Sequence, residues 1–166
     1  MGKKVAFIIN NINGMYLFRR ELVEMVARDN DVIILAPEGT RSSYFRDLGC
    51  KLILTSVDGH GMNPLKEIKL QRLYKKILKE ERPNIVFTYT IKPNTYAGAA
   101  CAYLDIPYVA NITGLGTAVE SGGLLQIISI MLYRYGLRKC KKVFFQNNDS
   151  KQFMLSHKWF VRKSVI

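Results

Sequence analysis

Apolar runs of four to six residues recur along the chain at Val5–Ile9, Val32–Ala36, Leu52–Thr55, Ile85–Tyr89, Pro107–Ile112 and Lys142–Gln146. They are rich in Val, Ile and Phe and mostly apolar throughout, as strands covered on both faces should be. Between them the period changes. Phe18, Leu22, Met25 and Val26 form one helical stripe, and Leu70, Leu73, Tyr74 and Ile77 form another. Asn94 to Leu104 is alanine-rich and follows a proline, and Gly122 to Arg138 is the longest apolar helix. Strands alternating with helices at this spacing predict an α/β fold, a doubly wound parallel sheet of Rossmann type.

Breakers sharpen the boundaries. Pro37-Glu38-Gly39 closes the second strand, Asp58-Gly59-His60-Gly61 follows the third, and Pro83 stops a basic helix spanning Leu65 to Arg82. Lys163-Ser164-Val165-Ile166 reads as the opening of a further strand, so the expectation is a chain cut at a domain boundary. At 166 residues it is one domain, 1–166.

Composition narrows the partners. The net charge of +12 points to an anionic one: nucleic acid, a phosphorylated sugar or an anionic membrane face. The apolar stretch Leu124 to Tyr133 is too short to cross a bilayer, and the N-terminus lacks a signal-peptide pattern. Cys50, Cys101 and Cys140 form no CxxC pair, which disfavours disulfides and structural zinc and makes a reducing cytoplasm the expectation. His60 and His157, without clustered Cys, Asp or Glu, give no metal signature.

Candidate chemistry sits on the loops after strands, where open α/β sheets bind ligands. After the first strand, Asn10-Asn11-Ile12-Asn13-Gly14 leads into a helix, and a glycine there lets the backbone approach a phosphate; a plain tight turn is the other reading. The GxGxxG fingerprint is missing, which disfavours NAD or FAD. After the fourth strand, Lys92 is a point charge suited to phosphate, and Thr88, Thr90 and Asn94 are suited to sugar hydroxyls, unless Thr90 or Asn94 merely caps the helix. After the fifth come Thr113, Gly114, Leu115 and Gly116. His60, between glycines, is either a catalytic or acceptor-contact residue or an ordinary exposed histidine. From Ser121 to Asn148 no acidic residue occurs, while Arg134, Arg138, Lys139, Lys141 and Lys142 follow the apolar run. Such a helix suits an anionic bilayer, with burial against the sheet as the competing account.

The segments Tyr89 to Gly98, Asn111 to Gly116, Met62-Asn63-Pro64-Leu65, Met15 to Arg19 and Asn147 to Ser150 together resemble the N-terminal half of bacterial family 4 glycosyltransferases of GT-B fold. The likeness covers nearly the whole chain. It implies a retaining enzyme, usually without metal or cofactor, that moves a hexose or N-acetylhexosamine from a nucleotide-sugar such as a UDP-sugar. The acceptor implied is a polyprenyl-diphosphate-linked glycan at the inner face of the cell membrane. On that resemblance Asn13 and Gly14 approach the donor diphosphate, while Thr90, Lys92, Asn94, Thr113, Gly114 and Gly116 line the acceptor and sugar side. The glutamate-bearing EX7E motif and most of the donor pocket belong to a second domain, so the isolated chain is expected to have little or no activity. Two alternatives stay open: a GT-B epimerase of nucleotide-sugars, for which no rim carboxylate pair is evident, and a basic nucleic-acid-binding module, which the buried strands disfavour.

Overall fold

Strands apolar on both faces need helices above and below them. The computed structural model describes residues 2–55, 63–115 and 122–157. Its six strands are β1 (Lys4–Ile8), β2 (Asp31–Ala36), β3 (Lys51–Leu54), β4 (Ile85–Tyr89), β5 (Tyr108–Ile112) and β6 (Lys142–Phe145). They form one sheet in the order β3-β2-β1-β4-β5-β6, and every neighbouring pair is parallel. Chain direction across the sheet therefore reverses between β1 and β4, where Phe7 pairs with Phe87 and Ile8 with Thr88. At such a reversal the helices leave on opposite faces, and a crevice opens beyond the strand ends.

The two-residue period divides the core into layers. Val5, Phe7, Val32 and Ile34 pack toward α1 (Ile12–Ala27) and α2 (Ser42–Asp47), meeting Ile12, Met15, Val23 and Phe45. Ala6, Ile8, Ile33, Leu35, Val86 and Ala110 point the other way. They meet α3 (Pro64–Glu81), α4 (Gly98–Leu104) and α5 (Gly123–Leu137) through Leu70, Tyr74, Cys101, Tyr133 and Leu137. The last helix, α6 (Asn148–Ser156), adds Met154.

Local chemistry explains the ends. Asn63 Oδ1 accepts from the Leu65 backbone N–H at 3.0 Å and Pro64 opens α3, while Arg82 in the left-handed region closes it. Asn147 caps α6 by accepting from Ser150 N at 2.8 Å. Three expectations are corrected. α1 begins at Ile12, so Asn13 and Gly14 lie in its first turn and not in a loop. Its buried stripe is accordingly Ile12, Met15 and Val23, leaving Phe18 and Met25 71% and 57% exposed. The six-residue α2 was not foreseen; no side chain caps it, and the buried Phe45 anchors it.

Between β4 and α4 the helical chain widens into a π turn, Pro93–Ala97. α5 lies directly against it. A Cβ on Gly136 would stand 2.5 Å from Thr95 Cα, and one on Gly98 would stand 2.5 Å from Gly136 O. The two glycines permit this approach.

Candidate functional site

The crevice at the reversal is a cleft of about 300 Å³. The end of β1 contributes Asn10 and Asn11, α1 contributes Gly14, Phe18 and Arg19, and the ends of β4, β5 and β6 contribute Tyr89 with Thr90, Thr113, and Gln146. Asn11 caps α1: its Oδ1 accepts from the backbone of Asn13 at 3.0 Å and of Gly14 at 3.1 Å. The Gly14 N–H is thus engaged, and the glycine contributes open space. A Cβ there would meet nothing nearer than Asn11 Cγ at 3.6 Å.

Arg19 is the cation of this cleft. Its guanidinium carbon stands 5.6 Å from the centre of the Tyr89 ring. With its amide turned to donate to Thr113 O at 3.1 Å, Gln146 accepts from Arg19 at 2.5 Å, which links α1, β6 and β5 across the mouth. Burial pushes the Tyr89 phenol up to about 12 against the opposing pull of Arg19, so it remains a neutral donor. Thr90 has φ 68°, and its hydroxyl turns back to donate to Tyr89 O. A β-branched residue in the left-handed region costs on the order of 1–3 kcal/mol and persists only where its surroundings impose it. Chemically the cleft offers a planar, permanently charged fork suited to phosphate and hydroxyls and amides suited to sugar.

Sequence reasoning placed other residues here that the fold turns elsewhere. Asn13 Oδ1 accepts from Thr40 Oγ1 and from Arg41 N, both at 3.1 Å, which ties α1 to the loop before α2. Asn94 is fully buried; it accepts from Thr88 Oγ1 at 2.7 Å and donates to Asn111 O at 3.0 Å, bracing β4 against β5. Lys92 pairs with Glu67 Oε1 at 2.8 Å, the two side chains being only 14% and 12% exposed. So Lys92 faces α3, and the expectation of a free phosphate-binding charge is corrected for that reason. Gly114, at φ 152°, supplies a backbone conformation that side chains rarely adopt, just after Thr113. His60 and Gly116 lie outside the described residues.

Arg19, Gln146 and Glu67 were not singled out as site residues from the sequence. Arg19 stands five residues after Gly14, on the turn of α1 that overhangs the strand ends, a placement visible only once the helix start is known. Glu67 is the one acidic residue in the first turn of α3. Its Oε2 is buried with no hydrogen-bond partner among the described residues. Burial, then the Glu67 carboxylate, holds the neighbouring Tyr96 phenol above its ordinary range.

The five basic residues suggested for membrane contact are all exposed. They lie at the end of α5 and the start of β6, at the amino ends of the strands, whereas the cleft lies beyond the carboxyl ends. Lys139 pairs with Asp105 at 2.6 Å, Arg134 donates to His157 O at 2.9 Å, and Arg138 stacks 4.6 Å from the Tyr135 ring centre. α5 buries Ser129, Tyr133, Gly136 and Leu137 against the fold, while Leu124, Ile127 and Met131 stay largely exposed. No helix among the described residues is long and apolar enough to cross a membrane. Among those same residues no group of three His, Cys, Asp or Glu is placed to hold a metal.

A model of the glycosyl transferase 4-like family matches residues 4–147. A Campylobacter jejuni protein, N,N'-diacetylbacillosaminyl-diphospho-undecaprenol alpha-1,3-N-acetylgalactosaminyltransferase, is 24% identical over 157 residues, 91% of this chain and 42% of that protein. Among solved structures, a glycosyltransferase from Rickettsia africae has the same fold, with a TM-score of 0.66 at 17% identity over 99% of this chain and 42% of its own. The UDP-GlcNAc 2-epimerase of Neisseria meningitidis, solved with UDP-GlcNAc bound, gives 0.67 at 15% identity over 98% of this chain and 46% of its own. The chain thus spans less than half the length of each of these relatives.

Proposed function

The chain belongs to the glycosyl transferase 4-like family, and from that premise we propose that it forms the acceptor-side half of a retaining sugar transferase. The donor is a nucleotide-sugar such as a UDP-sugar, and the acceptor is a polyprenyl-diphosphate-linked glycan, the acceptor class that the name of the Campylobacter relative carries. No metal or other cofactor is called for. The observation that carries the reading is Arg19, the one cation lining the reversal cleft among the described residues, held over the strand ends by Tyr89 and Gln146.

Transfer breaks the bond from the anomeric carbon to the nucleotide diphosphate and joins that carbon to the oxygen of an acceptor hydroxyl, whose proton passes to the departing diphosphate. Negative charge collects on the departing diphosphate. A preorganised guanidinium beside it lowers the barrier because it has no solvent to rearrange at that moment. Arg19 with Gly14 makes the diphosphate side, and Thr90, Thr113 and Gly114 line the sugar side. Lys92 and Asn94 act from behind that wall. A second domain facing the cleft would exclude water and align the hydroxyl, so this half alone has little or no activity.

The protein works at the inner face of the cell membrane, resting there through exposed Leu124, Ile127 and Met131 with Arg134, Arg138, Lys139, Lys141 and Lys142. Each basic residue near an anionic surface contributes about 1 kcal/mol. The fold is shared with nucleotide-sugar epimerases, so fold does not separate the two chemistries; the family match and the Campylobacter relative favour transfer.

The test is transfer from a panel of UDP-sugars to a short-chain prenyl-diphosphate glycan by the protein carrying this chain, with product mass read directly. Arg19→Ala should cut kcat by about 100-fold or more, with melting unchanged. An unchanged rate would remove the reading.

A further inference from the structure

Thr90 is held in a conformation its β-branched side chain resists, and the residues around it must supply the constraint. On one side β4 is locked in the sheet, with Tyr89 buried. On the other, the Asn94 amide donates to Thr90 O at 3.0 Å. Two residues after Thr90, Lys92 reaches away from the cleft and meets Glu67 on α3 at 2.8 Å. The ion pair therefore ties the turn to a helix belonging to the opposite layer of the core.

A largely buried ion pair is a poor device for stability. Desolvating two charges costs several kcal/mol each, and well-packed apolar residues in their place are often neutral or stabilising. Glu67 also has an oxygen with no hydrogen-bond partner among the described residues, a further cost that an apolar contact would avoid. What the pair offers over an apolar contact is a fixed separation and direction, since the ammonium must sit at the carboxylate oxygen. We propose that Glu67 is a positioning residue for the cleft: through Lys92 it holds the β4 turn so that Thr90 keeps its left-handed backbone on the cleft wall. The role in transfer rests on the sugar-transferase reading; the role in holding the turn does not.

The experiment uses the protein carrying this chain and the double variant Glu67→Leu with Lys92→Met, which removes both charges and so leaves neither buried alone. Hydrogen exchange at the Asn94 amide reports the turn directly. It should be at least tenfold faster in the double variant while melting stays at or above the wild-type temperature, and Lys92→Arg alone, which keeps the pair, should retain protection. Unchanged Asn94 exchange would overturn the inference whatever the enzyme does, as would a gain in exchange spread evenly over the sheet. In the transfer assay kcat should fall about tenfold with the donor KM unchanged, the mark of a displaced wall and not of lost donor binding. Wild-type protein that transfers no sugar, with Asn94 exchange still raised in the variant, would refute the transferase reading alone.

Discussion

Thr90 and Lys92 are two residues apart at the end of β4 and face opposite ways. Thr90 lines the cleft with Arg19 and Thr113, while Lys92 turns to Glu67 on α3. The α1 side of this turn is an open hollow of hydroxyls, amides and one guanidinium. The α3 side is closed: Asn94 sits at zero exposure inside a network with Thr88 and Asn111, and α5 presses glycine-close against the π turn. Polar residues of the same kinds occur on both sides, so residue type on a rim loop does not say whether a group meets a ligand or braces the fold. Direction decides, and direction depends on where each helix begins.

If that division is right, substitutions in the packed interior of the closed side should act on stability and those on the open side on chemistry. The Lys92–Glu67 pair, which reaches the cleft through the turn, should act on chemistry. The largest effect is expected from Gly136→Ala, because its new Cβ meets backbone that cannot rotate away; a loss of about 3 kcal/mol in chemical denaturation is predicted. A loss below about 0.5 kcal/mol would mean that α5 and the π turn do not meet at glycine-close range. Thr90→Gly sharpens the contrast from the open side. Relief of the left-handed strain, about 1–2 kcal/mol, is offset by the glycine's added freedom when unfolded, about 0.5–1 kcal/mol. Stability should stay within about 1 kcal/mol of wild type while transfer falls about tenfold, and a large loss of stability with full activity would reverse the assignment.

A smaller, graded effect follows from the closed layers. Burial raises the thiols of Cys50 and Cys140 to about 11 and that of Cys101 to about 12, and raises the Tyr89 phenol to about 12. These groups keep their protons more tightly folded than unfolded. Stability is therefore complete below their ordinary values near 9 and 10 and declines as pH rises from there toward 12. Thermal melting from pH 8 to pH 10.5 should show a falling midpoint above about pH 9, less steep in Cys101→Ala once its altered starting stability is subtracted. A flat profile would contradict the buried thiols.

Much of the fold was legible in the chain. All six strands fall within a residue or two of the apolar runs, because a strand buried on both faces leaves a signal that tertiary context does not change. The Leu70, Leu73, Tyr74, Ile77 stripe of α3 was legible for the same reason. α1 was misread because Phe18 and Met25 continue an apolar pattern onto a face that stays exposed. α2, at six residues, is shorter than the window over which a helical period can be recognised. At the site, the strand-end position of Thr90 and Thr113 was readable from the alternation alone. Arg19 and Gln146 were not, since what brings them together is the order β1-β4-β5-β6, a pairing of segments distant in sequence. The π turn, which sends Asn94 inward, leaves no periodic trace.

On the proposed reading, sugar transfer takes place against the wall formed by the ends of β1, β4, β5 and β6. Backbone hydrogen exchange in the protein carrying this chain, with and without a UDP-sugar and a short-chain prenyl-diphosphate glycan, tests it most directly. Slowing of at least tenfold at Thr90 and Thr113, with the amides around Arg138 and Lys139 unchanged in the absence of lipid, is the predicted result. Turnover of those substrates without any slowing at Thr90 or Thr113 would contradict it.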